Sequence, residues 1–338
     1  MKRPILLAIC AAVVALVFVG VVWRYLDVNS QVSPPGEEKV VINEAARTLV
    51  YLPIYNALYK GYFKDEGLDV QIVTGGTPTA AFSAMLTGNA DFASSDPMFV
   101  PISRQKGART KVVAQIVARI AAWALAPNSQ GSGFDLKALQ GRTISTVQRP
   151  TTWYTYTANY VHALGLVDGF SVTILQNRAG SELAPFLSHR ADFVVTAEPG
   201  ASIAENAGAH IVYSWPQKLG DRIFTGLSTR EEVIAKRRPM VLKVIRAIQR
   251  SLADLAAHPE DAAATAKIYF PGVPAPVLEH AVRHLVQDHV VPASIEITPE
   301  SWRNAVDARR EAGDITKDAP YSENVANDLI LEALKSNK

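Results

Sequence analysis

A phrase of the sequence occurs twice, and this repeat constrains the fold more than any other feature. LTGNADFASSDP at residues 86–97 has a counterpart, LSHRADFVVTAEP, at residues 187–199. The similarity extends over residues 68–97 and 170–199, where a β-rich run, a polar turn, a helical pattern and an acid–Pro pair come in the same order. Whether this reflects duplication or only the common requirements of βαβ units, it predicts two lobes of similar topology.

The rest of the body alternates short β-rich runs with helical patterns, which is typical of α/β folds with mostly parallel sheets flanked by helices. The loop signal APNSQGSGFD at residues 126–135 separates two such regions. After Gly226 the pattern is mostly helical, and we expect this part to pack back on the first region. The predicted architecture is therefore α/β with two lobes. Residues 39–125 plus 225–338 would form a discontinuous lobe 1, and residues 126–224 would form lobe 2.

The N-terminus carries an apolar run of 19 residues, 5–23, behind the basic residues Lys2 and Arg3. As a helix this run would span about 28 Å, close to the ~30 Å thickness of the hydrocarbon core, and the basic residues favour a cytoplasmic N-terminus. Residues 1–26 are thus predicted to be one apolar helix that acts as a signal-anchor, with a cleaved signal peptide as the alternative. Residues 27–38 would be a tether that leaves the exported body in the periplasm at the inner membrane.

Composition excludes several classes of function for the body. The chain has 34 basic and 32 acidic residues. Three basic residues and one acidic residue lie in the first 30 positions, so the remainder has 31 basic and 31 acidic residues. A body without net charge is not suited to nucleic acid. The single cysteine, Cys10, lies in the apolar run, so the body has no disulfide, thiol nucleophile or cysteine-based zinc site. Because the bulky Ile9 precedes it, Cys10 is also a poor lipidation signal.

Catalytic motifs are weak or missing in the sequence. GxSxG, Walker A and GxGxxG patterns do not occur. His280 and His284 have the i, i+4 spacing that can hold a metal, but no HExxH pattern accompanies them. We therefore expect a protein that has no cofactor, no metal and no enzymatic activity.

Ligands of parallel α/β sheets bind at the carboxyl ends of strands, where helix N-termini present free N–H groups. The corresponding turns of both predicted lobes contain hydroxyl, charged and aromatic residues. The candidate ligand-binding residues are Thr48, Tyr51, Gly76, Thr77, Ser94, Ser95, Asp96, Arg149, Thr151, Thr152, Trp153 and Glu198. Helix capping is the competing explanation for Thr77, Asp96 and Thr151, and core burial is the competing explanation for Tyr51 and Trp153.

Several motifs, taken in order, resemble those of solute-binding proteins of ABC importers, in the group for nitrate, sulfonates, taurine and thiamine precursors. The motifs are LPIYNALYKGYFKDEGLDVQIVTGG (52–76), AMLTGNADFASSD (84–96), DLKALQGRTIST (135–146), LSHRADFVVTAEP (187–199) and the helical return after Gly226. The resemblance covers roughly residues 39–270 and is specific as a set, although each motif alone is loose.

This resemblance implies a type II periplasmic-binding-protein fold, in which two lobes joined by two crossovers close over a solute. It implies a monomer whose partners are a small-molecule solute, a permease and the ATPase of that permease. A membrane-tethered sensor with the same clamp and an enzyme on this scaffold are the alternatives. The mixture of acids, arginines and aromatic residues favours a sulfonate, an aminosulfonate or a small heteroaromatic compound over an inorganic anion.

Overall fold

The computed structural model describes residues 36–127 and 136–335. The predicted apolar helix, the tether up to residue 35 and most of the predicted loop at residues 126–135 lie outside the described residues. Within the described ranges, no helix combines the length and the hydrophobicity that a membrane crossing requires.

The strands of the described ranges form two five-stranded sheets. Sheet 1 contains Glu38–Glu44 (β1), Leu68–Thr74 (β2), Phe92–Ser95 (β3), Thr110–Val117 (β4) and Thr225–Arg230 (β10). Sheet 2 contains Trp123–Pro127 (β5), Thr143–Val147 (β6), Thr173–Asn177 (β7), Phe193–Thr196 (β8) and Ala209–Ser214 (β9). The strand orders are β2-β1-β3-β10-β4 and β7-β6-β8-β5-β9.

The two sheets share one arrangement of strands. β3 is parallel to β1 and β8 is parallel to β6, whereas β10 and β5 run antiparallel to both of their neighbours. β5 enters sheet 2 directly after β4, and β10 returns to sheet 1 after β9, so the chain crosses between the sheets twice. The predicted two-lobed α/β architecture is therefore confirmed, with one antiparallel strand in each sheet. Below, lobe 1 and lobe 2 denote sheet 1 and sheet 2 with their connecting turns and helices.

Helices surround the sheets and follow them in the chain. The α-helices of the described ranges are Leu52–Tyr59 (α1), Tyr62–Asp65 (α2), Pro78–Leu86 (α3), Phe99–Arg104 (α4), Thr152–Ala163 (α5), Leu183–Leu187 (α6), Gly200–Asn206 (α7), Trp215–Leu219 (α8), Glu231–Lys236 (α9), Arg238–Ala257 (α10), Ala262–Tyr269 (α11), Ala275–Gln287 (α12), Pro299–Glu311 (α13), Tyr321–Asn324 (α14) and Asn327–Lys335 (α15). Single 3₁₀ turns occupy Leu49–Tyr51 and Leu136–Leu139.

The repeated Ala-Asp-Phe has the same role in both sheets. Asp91 accepts a hydrogen bond from the N–H of Val41 at 2.9 Å, and Asp192 accepts one from the N–H of Thr143, also at 2.9 Å. Each aspartate thereby fastens the start of the third strand of its sheet, β3 or β8, to the strand beside it. The phenylalanine of each copy is buried in the core, with 0% and 1% of its surface exposed. The Ala-Asp-Phe portion therefore has a structural role in both sheets.

The C-terminal helices contact both lobes. α10 buries apolar residues at helical spacing and packs on α1 and α2 of lobe 1. α12 lies against the Leu49–Tyr51 turn of lobe 1 and also against α7 of lobe 2. The region after β10 therefore extends beyond the lobe on which the sequence alone would place it.

Candidate functional site

Two cavities lie between the lobes, at the turns that follow the carboxyl ends of the strands. The larger has a volume of about 380 Å³ and is lined by Gly75, Gly76, Thr77, Pro78, Thr79, Ala80, Val147, Gln148, Arg149, Pro150, Thr151, Arg178 and Ala179. The smaller has a volume of about 210 Å³ and is lined by Ala46, Arg47, Thr48, Val147, Trp153, Ala179, Gly180, Glu182, Leu183, Thr196, Ala197, Glu198, Pro199, Gly200, Ile203 and Phe270. Because they share Val147 and Ala179, the two cavities adjoin, and together we call them the cleft.

Lobe 1 contributes the turn from β2 into α3 to the larger cavity. Gly76 has a φ of +82°, in the left-handed region that glycine adopts without strain. Thr77 caps α3, since its Oγ1 accepts a hydrogen bond from the N–H of Ala80 at 3.0 Å, and Pro78 occupies the first turn. Thr77 thus has the capping role that the sequence offers as the alternative to ligand binding. The positive end of the α3 dipole thus lies at the wall of the larger cavity.

Lobe 2 contributes a second helix start and two arginines to the same cavity. Thr151 caps α5 by accepting a hydrogen bond from the N–H of Tyr154 at 3.3 Å. Arg149 donates to the hydroxyl of Tyr154 at 2.7 Å and lies over its ring. The guanidinium of Arg178 has no hydrogen-bond or ion-pair partner among the described residues. No Asp or Glu occurs among the residues described as lining this cavity, which is therefore suited to an anion.

The smaller cavity is closed by direct contacts between the lobes. The carbonyl oxygen of Glu198 accepts hydrogen bonds from Oγ1 of Thr48 at 3.2 Å and from the N–H of Leu49 at 3.3 Å. Trp153 forms part of the lining, and its Nε1 donates to the carbonyl of Ala121 at 2.8 Å. The structure therefore brings Thr48, Trp153 and Glu198 together at the smaller cavity.

The carboxylate of Glu198 is engaged by the protein itself. Its Oε2 accepts from the N–H of Ser202 at 3.1 Å, and its Oε1 accepts from the Ser202 hydroxyl at 3.0 Å. Nδ1 of His284, on α12, lies 2.7 Å from the same Oε1. The side chain of Glu198 thus joins lobe 2 to the C-terminal helices.

Asp96 and Thr152 form a second contact between the lobes, and neither lines the cleft. The Thr152 hydroxyl donates to Asp96, and Arg309 of α13 forms an ion pair with the same carboxylate. Asp96 also accepts from the N–H of Met98 at 2.9 Å, and Arg309 also pairs with Asp314 at 2.7 Å. The charge of Asp96 is therefore balanced within the protein.

The remaining candidates lie behind the cleft. Tyr51, Ser94 and Ser95 are buried and line neither cavity. Burial and the nearby carboxylate of Glu44 raise the pKa of Tyr51 well above its usual range. The hydroxyls of Ser94 and Ser95 have no hydrogen-bond partner among the described residues. β3 extends through both serines, and it pairs with β1 on one side and with β10 on the other.

Two arginines of the cleft, Arg47 and Arg178, were not among the candidates. Arg47 forms an ion pair with Glu44 at 2.9 Å and lies over the rings of Tyr55 and Tyr269, at 5.3 and 5.5 Å. Both arginines follow strand ends, β1 and β7, so the rule that selected Arg149 would also have selected them.

Glu182, His284 and Arg309 were missed as well. Glu182 lines the smaller cavity from the turn that precedes α6. The sequence indicates His284 only through its spacing from His280. In the structure His280 lies 3.5 Å from Glu205, and His284 lies between Glu198 and Asp288. The described residues contain no group of three or more His, Cys, Asp or Glu placed to hold a metal.

Two α/β lobes, two crossovers and a cleft lined from both lobes are the features of the periplasmic-binding-protein fold, and structural comparison gives the same fold. The chain matches a ligand-binding component of an ABC-type import system from Staphylococcus aureus, with zinc bound, at a TM-score of 0.72 and 16% identity; the match covers 88% of this chain and 99% of that one. It also matches the periplasmic aliphatic sulphonate binding protein SsuA from Escherichia coli, at a TM-score of 0.66 and 15% identity. That match covers 87% of this chain and 92% of SsuA. The predicted fold is confirmed.

Residues 49–262 match the model of the NMT1/THI5-like family, so the chain belongs to that family. This confirms the resemblance that the sequence motifs indicate. A curated protein of Bacillus subtilis strain 168, YtlA, which is named as a binding protein, is 25% identical over 309 residues; these cover 89% of this chain and 91% of YtlA.

Proposed function

We propose that this chain is the extracytoplasmic solute-binding component of an ABC importer, and that its lobes close over a small organic anion. The observation that carries the proposal is the larger cavity, where α3 of lobe 1 and α5 of lobe 2 begin and where Arg149 and Arg178 lie without an acid in the lining. A solute that contacts both walls would stabilise the closed arrangement of the lobes. A permease would recognise that arrangement and, with its ATPase, import the solute.

The solute class follows from the size and lining of the cleft. The two cavities, of about 380 and 210 Å³, offer much more room than an inorganic anion needs. An acidic oxyanion would contact the arginines and helix N-termini, and an organic part would extend towards Trp153 and Phe270. A sulfonate, an aminosulfonate or a small anionic heteroaromatic compound fits this description. The names of the Staphylococcus aureus and Escherichia coli proteins, an import component and a sulphonate binder, support the proposal.

Binding can be measured by isothermal titration with a panel of alkanesulfonates, aminosulfonates and heteroaromatic acids. We expect saturable binding of one class, with a change in the fluorescence of Trp153 that is absent in Trp153→Phe. Arg178→Gln should weaken binding by about tenfold or more, because Arg178 has no other partner, whereas the exposed Arg190→Gln should leave it unchanged. Absence of saturable binding across the whole panel would contradict the proposal.

We further propose that residues 5–23 direct export and hold the body at the inner membrane. Fractionation of cells that produce the full chain should place it in the membrane fraction, with the body accessible to protease added from the periplasmic side. A soluble periplasmic form that begins near residue 30 would instead identify a cleaved signal peptide. Recovery in the cytoplasm would contradict export.

A further inference from the structure

The carboxylates near the cleft differ in whether the protein supplies a cation to them. Glu44 pairs with Arg47, and Asp96 pairs with Arg309. Glu198 pairs with His284, whose pKa is raised to about 9, so the imidazole is protonated at neutral pH. Each of these three acids therefore has a cationic partner within the protein.

Glu182 is the exception, because no cationic side chain pairs with it among the described residues. Only 7% of its surface is exposed, and it lines the smaller cavity. Its Oε1 accepts from the hydroxyl of Thr196 at 2.7 Å, and its Oε2 accepts from the N–H of Gly180 at 2.8 Å. Both donors are neutral. A carboxylate oxygen can accept a further hydrogen bond, and a buried charge is costly unless it is paired.

The position of Glu182 is fixed by its surroundings. Its carbonyl oxygen accepts a hydrogen bond from the Ser145 hydroxyl at 2.6 Å, which holds the turn onto β6. Thr196 lies at the end of β8, so the carboxylate is held from a second strand of the same sheet. A carboxylate held in this way is ordered before any ligand arrives, which reduces the entropic cost of binding.

The adjoining cavities therefore differ in charge. The larger has Arg149 and Arg178 with no acid in its described lining. The smaller has Arg47 and Glu198, which pair with Glu44 and His284, and Glu182, which has no cationic partner among the described residues, together with the aromatic side chains of Trp153 and Phe270. Aromatic faces attract cations as well as organic groups. A solute with an anion at one end and a cation at the other would match both cavities at once.

We propose that the solute is zwitterionic, and that Glu182 binds its ammonium or protonated ring nitrogen while the anionic end occupies the larger cavity. This inference rests on the proposed solute-binding function, since it assigns the two ends of the solute to the two cavities of the same cleft. Glu182 is thus the residue that selects among organic anions.

The test compares matched pairs of solutes in isothermal titration of the full chain. One series consists of ω-aminoalkanesulfonates with two to four carbons, and the other of the alkanesulfonates of the same lengths. We expect at least one amino compound to bind about tenfold or more tightly than its partner without the amine. Glu182→Gln should remove this preference and retain binding of the alkanesulfonate. Glu182→Asp, which keeps the charge, should retain the preference with weaker binding.

Glu205→Gln is the matched control, because Glu205 lies outside both cavities and faces His280. It should leave the preference unchanged. Equal binding of both series by the wild-type chain, or a preference that survives in Glu182→Gln, would overturn the inference and leave the proposed function intact. If neither series binds but a heteroaromatic acid of the wider panel does, the inference for sulfonates fails and the proposed function stands; if no compound of the wider panel binds, both proposals fail. The wild-type comparison stands even if a variant does not fold.

Discussion

Nδ1 of His284 lies 2.7 Å from Oε1 of Glu198, and this contact joins helix α12 to the turn of lobe 2 beside the cleft. Nε2 of the same ring lies 3.3 Å from Asp288. Asp288 in turn accepts hydrogen bonds from Nε1 of Trp123 at 2.7 Å and from the amide of Gln217 at 2.8 Å. One imidazole thus connects α12 with β5 and α8 and with the turn after β8.

This network predicts a pH-dependent stability. Burial lowers the pKa of His284, but hydrogen bonds and charges from Asp288 and Glu198 outweigh it and raise the pKa from 6.5 to about 9. Because the folded pKa is raised, the stabilisation is fully present below pH 6.5 and is lost as the pH rises through about 9. Burial raises the pKa of Asp288, but the hydrogen bonds that it accepts outweigh burial and lower this pKa from 3.8 to about 2. Because the folded pKa is lowered, the stabilisation by the Asp288 carboxylate is lost only as the pH falls from 3.8 towards about 2.

Urea denaturation of wild type and His284→Gln between pH 4 and pH 10 measures this effect. We expect the variant to lose roughly 1.5–3 kcal/mol of unfolding free energy near pH 6. The difference should shrink above about pH 9, where the wild-type imidazole is neutral. His280→Gln, at a more exposed position on the same helix, should show little change at any pH. A difference of the same size at pH 6 and pH 10 would be inconsistent with a protonated His284.

The ion pair between Arg309 and Asp96 leads to a second stability prediction. Only 5% of the Arg309 side chain and 8% of the Asp96 side chain are exposed. Arg309→Met leaves the carboxylate buried without its cation and should lower the unfolding free energy by about 3–5 kcal/mol. Arg310→Met removes only exposed contacts, with Asp307 at 3.1 Å and Asp318 at 3.7 Å, and should cost less than about 1 kcal/mol. Urea denaturation of both variants at pH 7 provides the comparison. Equal losses of unfolding free energy would show that the buried ion pair stabilises the protein no more than the exposed one.

Local features of the cleft could be predicted from the sequence, because their determinants lie within a few residues. Thr77 and Thr151 each cap a helix by accepting a hydrogen bond from the N–H three residues further on, that of Ala80 and that of Tyr154. The repeated phrase likewise predicts the similar topology of the two lobes. The contacts of Asp96 and Glu198 could not be predicted, since their partners Arg309 and His284 are 213 and 86 positions away.

The placement of Ser94 and Ser95 shows the same limit. The sequence puts both hydroxyls at a strand end, where ligands of α/β sheets are found. In the structure β10, which enters after all of sheet 2, pairs with β3 so that Gly226 lies opposite Ser95. No local pattern reveals that a strand about 130 residues later pairs with this end of β3, because the sequence separation of paired strands is set by the whole topology.

The turn that forms the lobe 1 wall of the larger cavity is tightly packed at Gly75, and this gives the last prediction. A Cβ at this position would lie 2.7 Å from Oδ1 of Asn43 and 2.9 Å from the N–H nitrogen of Ala81. Gly75→Ala must therefore displace the start of α3. We expect a loss of roughly 1–3 kcal/mol in unfolding free energy, as in other overpacked sites, and about tenfold weaker binding of the solute.

Gly272→Ala is the matched control, because a Cβ there meets nothing within 4 Å and the backbone is not left-handed. It should leave the stability within about 0.5 kcal/mol, or raise it slightly by restricting the unfolded chain, and should leave binding unchanged. For both variants, urea denaturation measures the unfolding free energy, and isothermal titration measures the affinity for the sulfonate that the wild-type chain binds most tightly. Solute affinity that is equal in Gly75→Ala and Gly272→Ala would place the anion away from the α3 turn and would leave Arg149 and Arg178 of lobe 2 as its contacts.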